Sequence, residues 1–451
     1  MLKGYFPFYK RLLRIAFPLV LTQAGQMSVQ LIDNAMVGRV GTAELAAASF
    51  ANSIYIIIMV FGLGILLGLT PLISHSLGGG NEKKIAFHIK NGFILTLIVS
   101  GILTLVTLSL TAFMPYMGQS EDVVRLAIPY FKTLAISLIP LLLFIFLKQT
   151  GEGFGNTILA MYATLLANLI NIVLNYLLIY GKFGFPELGL LGAGYATLIS
   201  RVVAPIFLFV CFRKVSPINH FIAISQKIKA SKEEILRIFR LGLPIAGQLV
   251  LEVSAFAIGA VMMGWLGSVP LAAHQVAMGM ASFTFMLANG VAQASTIRVS
   301  YQLGQKDFIS MEKVSLSAVH LVVVYMGICG VLFFTLRNIL PMIFTTDPVV
   351  IKQAASLLMV AALFQLFDGL QVVSMGILRG FKDVNAPMMI AGISYLIIGL
   401  PVSYVFAFIL GFGPEGIWFG FVGGLISAAI LLSFRIRKNI REVEANNIQT
   451  N

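Results

Sequence analysis

Twelve apolar runs, each long enough to cross a bilayer, decide what this chain can become. A helix needs roughly 20 apolar residues to traverse about 30 Å of hydrocarbon. Runs of that size fall near 12–37, 47–74, 92–114, 128–148, 160–181 and 190–212, and again near 238–264, 272–301, 316–343, 350–377, 388–411 and 415–435. Inside lipid every backbone N–H and C=O must be satisfied within the protein, which leaves helices or closed barrels. Barrel strands are short segments with alternating polarity, and these runs are too long and too evenly apolar for that. The expected fold is therefore an all-α integral membrane protein of twelve transmembrane helices. Only 11% of the residues are charged and 58% are hydrophobic, against about 25% charged in soluble proteins. A water-soluble globule, a disordered chain and a collagen-like chain are all excluded.

The first run is not a cleaved signal sequence, because it is long and carries Gln23, Gln26, Gln30 and Asp33 without a small-residue cleavage site. Cys211 and Cys329 lie in apolar runs and serve as small hydrophobes. The formal charge of +13 is informative by position: 24 of the 31 Lys and Arg residues fall at the termini and in the even-numbered loops. The positive-inside rule puts that side in the cytoplasm, so both termini are expected inside a bacterial plasma membrane. Basic residues confined to short loops between spans do not make a nucleic-acid surface. The expected partners are small molecules and the lipid bilayer, with no nucleic acid.

The chain is two copies of one unit. A shift of 226 residues lays Arg11-Leu-Leu-Arg14 and Pro18 on Arg237-Ile-Phe-Arg240 and Pro244, and Gly38 and Gly41 on Gly264 and Gly267. The same shift lays Leu45-Ala46-Ala47 on Leu271-Ala272-Ala273, then Gly64, Thr70, Ser74 and Gly78 on Gly290, Thr296, Ser300 and Gly304. Six spans per copy give both copies the same topology, so a pseudo-two-fold axis along the membrane normal is expected. The expected lobes are 1–212 and 237–451, joined by a cytoplasmic linker at 213–236. Within the linker, Ser231-Lys-Glu-Glu234 reads as a capping box that starts a helix.

Three acidic residues, Asp33, Glu252 and Asp368, fall well inside spans, with the other 15 expected in loops or tails. An ionised carboxylate at the centre of a membrane helix costs about 2.5–3.5 kcal/mol on insertion scales. Such groups face a cavity or a partner, and a carboxylate that gains and loses a proton or cation suits ion-coupled transport. The structural alternative is an ion pair with Arg201, but one guanidinium cannot neutralise three acids. Asn168, Asn171 and Asn175 share one stripe of the fifth span. Their amides fit either an oxygen site beside a carboxylate or plain interhelical hydrogen bonding. In the tenth span, Phe364 and Gln365 lie one turn before Asp368. Gln275 opens the eighth span beside His274, which suits a structural hydrogen-bonding role better than that of a coupling base. The glycine-rich stretches Gly78–Gly80 and Gly151–Gly155 follow no strand and include no phosphate-loop lysine. No metalloprotease or serine-hydrolase motif is present either, so the chain is not expected to be an enzyme or to use a cofactor.

Several of these residues resemble the multidrug and toxic compound extrusion (MATE) family. They include Asp33-Asn-Ala-Met36-Val-Gly38, Pro244 with Gln248 and Glu252, Leu271-Ala-Ala-His-Gln275, and Asp368-Gly-Leu-Gln371-Val-Val followed by Leu378-Arg379-Gly380. The likeness covers nearly the whole chain and is nearest the NorM-type bacterial branch, which pairs a seventh-span Glu with a tenth-span Asp. It implies a MATE-type fold and an antiporter that exports organic cations in exchange for Na⁺ or H⁺. It implies a coupling-cation site at Glu252 and Asp368, where Phe364 stands in place of a more usual Tyr. A second site is implied at Asp33, Asn171, Asn175 and Thr197, with Asn175 where some relatives have Asp. Drug contact is expected at Asp33, Glu252, Gln275, Phe364 and Asp368.

Two six-helix lobes with a cleft between them suit alternating access in a single chain, so a functional monomer is expected. The main alternative is a flippase for a lipid-linked precursor, which calls for a basic cavity; Arg201 is the one basic residue deep in a span.

Overall fold

The computed structural model describes the backbone of residues 2–450 and the side chains of residues 4–445. Twelve helices in it are long and apolar enough to cross a membrane, and no strand occurs among the described residues. Spans 1–6 are Phe6–Gly38, Thr42–Gly78, Glu82–Leu110, Glu121–Gly153, Ile158–Tyr180 and Gly189–Lys214. Spans 7–12 are Lys232–Leu266, Ser268–Gln305, Phe308–Thr335, Pro348–Gly380, Asn385–Ile409 and Gly413–Ala445. Large apolar side chains stand exposed along them, Leu105, Val324 and Ile397 among them. Water would penalise such surfaces, whereas lipid tails cover them.

Most helices overrun their apolar runs, and at spans 3 and 9 a side-chain cap sets the start. Span 3 starts ten residues ahead of its run, where the Asn81 side chain accepts from Lys84 N at 3.0 Å. Span 9 starts in the same way, with Asp307 accepting from Ser310 N at 3.0 Å. The same two spans stop short of the predicted 114 and 343. Pro115 and Pro341 fall in short 3₁₀ turns, Met114–Tyr116 and Leu340–Ile343, as expected of a residue that lacks an N–H and disfavours the preceding helical turn.

Between spans 6 and 7 a separate helix, Ile218–Lys227, precedes Ser231. Ser231 Oγ accepts from Glu234 N at 3.4 Å, which is half of the capping box. The other half is replaced: Ser231 N donates to Asn91 Oδ1 at 2.8 Å. The Glu234 carboxylate turns instead to His88 Nδ1 at 2.7 Å, and His88 Nε2 meets Ser76 Oγ at 3.1 Å. Spans 2, 3 and 7 are thereby tied together by buried side chains.

By contacts, the chain divides into two compact units, Leu21–Ala246 and Met1–Val20 with Gly247–Asn451. The expected lobes follow chain order; the compact units follow packing, and they divide within spans 1 and 7. Leu12 and Ala16 belong to the apolar core of the later unit, and Ile238 and Ala246 to that of the earlier one.

Lipid tails are as apolar as leucine, so helices in a membrane associate through close packing and interhelical hydrogen bonds. Both devices recur at the repeat positions. A methyl on Gly64 would come within 2.3 Å of Ala246 Cα, and one on Gly290 within 2.6 Å of Val20 Cγ2. Each pair is the other moved by 226 residues. Thr70 Oγ1 donates to Gln149 Oε1 at 2.6 Å, with the Gln149 carbonyl at 3.1 Å, and Thr296 Oγ1 donates to the Gly376 carbonyl at 2.7 Å. The small and hydroxyl residues that mark the repeat are thus the residues that join its helices.

Candidate functional site

The two units hold different polar centres. In the earlier unit, spans 1, 5 and 6 bring together four of the predicted residues. Asn175 Nδ2 lies 2.5 Å from Asp33 Oδ1 and 3.2 Å from Asn171 Oδ1, while Asn171 Nδ2 lies 3.4 Å from Thr197 Oγ1. Asn171 and Asn175 are buried, one helical turn apart, and Asp33 and Thr197 are half-buried. The centre is a chain of carboxylate, two amides and a hydroxyl in which Asp33 already has a donor. One acceptor remains: Asn175 Oδ1 is buried with no hydrogen-bond partner among the described residues. Asn168 leaves the chain and packs toward span 1, where its Nδ2 would be 2.9 Å from a methyl on Gly25.

Arg201 does not pair with any of the three acids. Its Nη1 donates to Tyr55 Oη at 2.5 Å and to Ser137 Oγ at 2.6 Å, and its guanidinium lies 5.2 Å from the Tyr55 ring centroid. Hydroxyls and an aromatic face hold this guanidinium in place, and its charge reaches Asp33 only from beyond bonding distance.

In the later unit, Glu252 of span 7 and Asp368 of span 10 lie within electrostatic range of each other. Neither has a hydrogen-bond or ion-pair partner within bonding distance among the described residues. Asp368 is only 4% exposed, and the charged group that acts on its carboxyl is another acid, Glu252. Aromatic rings frame the pair. Phe256, one turn after Glu252, sits 6.3 Å from Phe364, one turn before Asp368, and Phe364 sits 5.3 Å from Trp418 of span 12. At 2% exposure Phe364 is a packing element of this cluster. His274 joins it edge-on to Trp418 at 5.8 Å, buried and with Nδ1 unpartnered. Gln275 is exposed on span 8 and makes no hydrogen bond among the described residues.

Several polar residues here carried no site role in the sequence reading. Gln371 and Tyr395 are mutually hydrogen-bonded beside the acids. Arg379, expected in a basic loop, belongs to the last turn of span 10 and interacts electrostatically with Glu252. Not all remaining acids lie in loops: Glu152 and Glu234 are buried within spans 4 and 7. Glu152 comes within 3.7 Å of Lys148. Hydropathy windows miss such residues because the helices continue, and stay packed, beyond the most apolar stretch.

Twelve apolar helices, an internal repeat and a carboxylate centre in each half define a multi-pass membrane protein of transporter architecture. The MatE family model matches residues 18–177 and 244–405, one match per repeat copy, and the chain belongs to that family. A relative described as multidrug resistance protein NorM, from Photobacterium profundum, is 33% identical over 432 residues, 95% of each chain. Among solved structures, a MATE protein in the bent conformation superposes with a TM-score of 0.89 at 21% identity, over 98% of this chain and 99% of that one. An outward-facing multidrug resistance MATE transporter of the MOP superfamily gives 0.88 at 21% identity, over 97% and 96%. Both show the same fold.

Proposed function

We propose that this protein is a secondary active multidrug exporter of the bacterial plasma membrane, with both termini in the cytoplasm. It moves lipophilic organic cations outward in exchange for inward Na⁺ or H⁺. The observation that carries the reading is the Glu252–Asp368 pair: two neighbouring acids, one almost fully buried, with no donor or counter-ion in bonding contact. Like charges at short range cannot both stay ionised in a dry site without a compensating positive charge. Arg379 offsets one of the two charges from beyond bonding distance, and a proton, a sodium ion or a cationic drug supplies the rest.

Competition for that charge yields exchange without ATP. A bound inorganic cation weakens the hold on an organic cation, and by thermodynamic linkage the organic cation weakens the hold on the inorganic one by the same factor. Alternating access makes the two bind from opposite sides. Asp33 with Asn171, Asn175 and Thr197 forms a second, lower-charge centre for the same class of ligand. The half-buried ring of Phe256, backed by the packed rings of Phe364 and Trp418, suits a lipophilic cation, whose charge a ring face attracts. The flippase alternative is less well supported, since Arg201, the one basic residue deep in a span, is already engaged by Tyr55 and Ser137.

The test is export of ethidium by the purified protein in vesicles under separately imposed Na⁺ and pH gradients. Export driven by one of these gradients and absent without either is the expected result. Lipid-precursor translocation with no gradient-dependent ethidium movement would overturn the reading.

A further inference from the structure

We propose that the Tyr395 hydroxyl is the neutral oxygen of the Glu252–Asp368 cation site, held in place by Gln371. The inference rests on the reading of those two acids as the coupling centre.

Six observations converge on Tyr395. It is 3% exposed, so its hydroxyl must be satisfied inside the protein. Gln371 brackets that hydroxyl, with Nε2 at 2.6 Å and Oε1 at 2.8 Å. Gln371 lies one turn after Asp368 on span 10, which brings the hydroxyl to the helix that presents the acid. Phe256, one turn after Glu252 on span 7, packs against Tyr395 at 6.1 Å and Phe364 at 6.3 Å. Both carboxylates lie within electrostatic range of Tyr395. Finally, Tyr395 sits in a π-helical segment, Ile393–Gly399, ahead of Pro401. Such wide turns arise where the regular ladder is interrupted, and they are frequent at functional sites.

The chemistry is consistent with an ion ligand. A phenol that receives one hydrogen bond from an amide N–H and gives its proton to the amide oxygen keeps a lone pair free. Two carboxylates and one neutral oxygen, from three different spans, make an all-oxygen set suited to a hard cation. Without an ion or proton, the same hydroxyl cannot satisfy two carboxylates at once.

Trp418, 5.3 Å from Phe364, is one of only two tryptophans, which gives a readout independent of transport. In the purified full-length protein carrying Trp265→Phe, Trp418 fluorescence is titrated with NaCl against choline chloride at fixed ionic strength. It is then titrated with acid in choline chloride in protein that also carries His274→Gln, since His274 lies 5.8 Å from Trp418 and its protonation alone would alter the fluorescence. The cation that drives the change should act with an apparent affinity about tenfold weaker in Tyr395→Phe, within the range usual for coupled sites. Gln371→Leu should weaken it in the same direction, because the hydroxyl then loses its anchor. The double variant Glu252→Gln/Asp368→Asn should show no response. A response that survives in that double variant, or is absent from the starting protein, overturns the underlying reading. Loss of the response in the double variant, with unchanged midpoints in both Tyr395→Phe and Gln371→Leu, overturns the role of Tyr395 alone.

Discussion

The two carboxylate centres are built on opposite plans. Asp33 has a donor at 2.5 Å in Asn175, which is tied to Asn171, which is tied in turn to Thr197. Glu252 and Asp368 have each other and a ring of aromatic side chains. The scaffold is repeated, but the chemistry is not: at the 226-residue offset Asp33 corresponds to Gly259, and Glu252 to Gln26. Packing positions such as Gly64 and Gly290 were kept in both copies, while the acids stand at unrelated places. One unit thus holds a carboxylate that is hydrogen-bonded as it stands, and the other a pair of acids of which Arg379, beyond bonding distance, offsets one charge at most, so that the second calls for a positive charge from outside. On this account the later unit is the stronger site of ion coupling.

The sharpest way to break that contrast is to neutralise each centre separately. Glu252→Gln/Asp368→Asn should bring gradient-driven ethidium export down to the rate of protein-free vesicles. Asp33→Asn should lower it roughly fivefold, at the low end of ordinary coupling energies. Equal losses at the two centres would erase the distinction. The reverse experiment makes the satisfied centre resemble the other one. Asn175→Asp replaces a donor to Asp33 by a second carboxylate, so thermal stability in detergent should fall in choline chloride and recover on adding the coupling cation. The wild-type side chain should give a smaller cation-dependent shift.

Packing offers a weaker test of the same kind. Gly64→Ala pushes a methyl toward the Ala246 backbone, whereas Gly290→Ala meets first the Val20 side chain. Overpacking costs about 1–3 kcal/mol. Gly64→Ala should lie toward the upper end, because a side chain yields more readily than backbone; melting temperatures of the two variants compare them. The smallest effect is expected at the repeated hydroxyls. Thr70→Val and Thr296→Val each remove one interhelical hydrogen bond, a loss of about 1 kcal/mol, and should lower melting temperatures slightly and alike.

The spans and the repeat were legible because hydropathy and landmark residues lie in linear order. All twelve helices fall where the apolar runs predict, with ends displaced by the caps at Asn81 and Asp307 and by Pro115 and Pro341. The stripe of Asn168, Asn171 and Asn175 was legible too, but it was the family resemblance that put Asp33, Asn171, Asn175 and Thr197 together, and the fold leaves Asn168 out. The partner of Arg201 could not: the sequence offers three acids, and the fold gives it Tyr55 and Ser137. Nor does a run of apolar residues say which bundle its two ends join, so the division within spans 1 and 7 was hidden. The signal that points to it is the repeated pairing of small residues, Gly64 with Ala246 and Gly290 with Val20. Tyr395 was unreadable because its importance depends on Gln371, 24 residues earlier on a different helix.

The most direct test of the central claim follows both halves of the exchange in one preparation. Radioactive Na⁺ uptake, or acidification reported by a trapped dye, is recorded together with ethidium movement in the opposite direction. The account predicts that one of the two ions moves against the drug, and that Glu252→Gln/Asp368→Asn abolishes this counterflow while the protein stays monodisperse. Unchanged counterflow in that variant would contradict the assignment of coupling to the later unit.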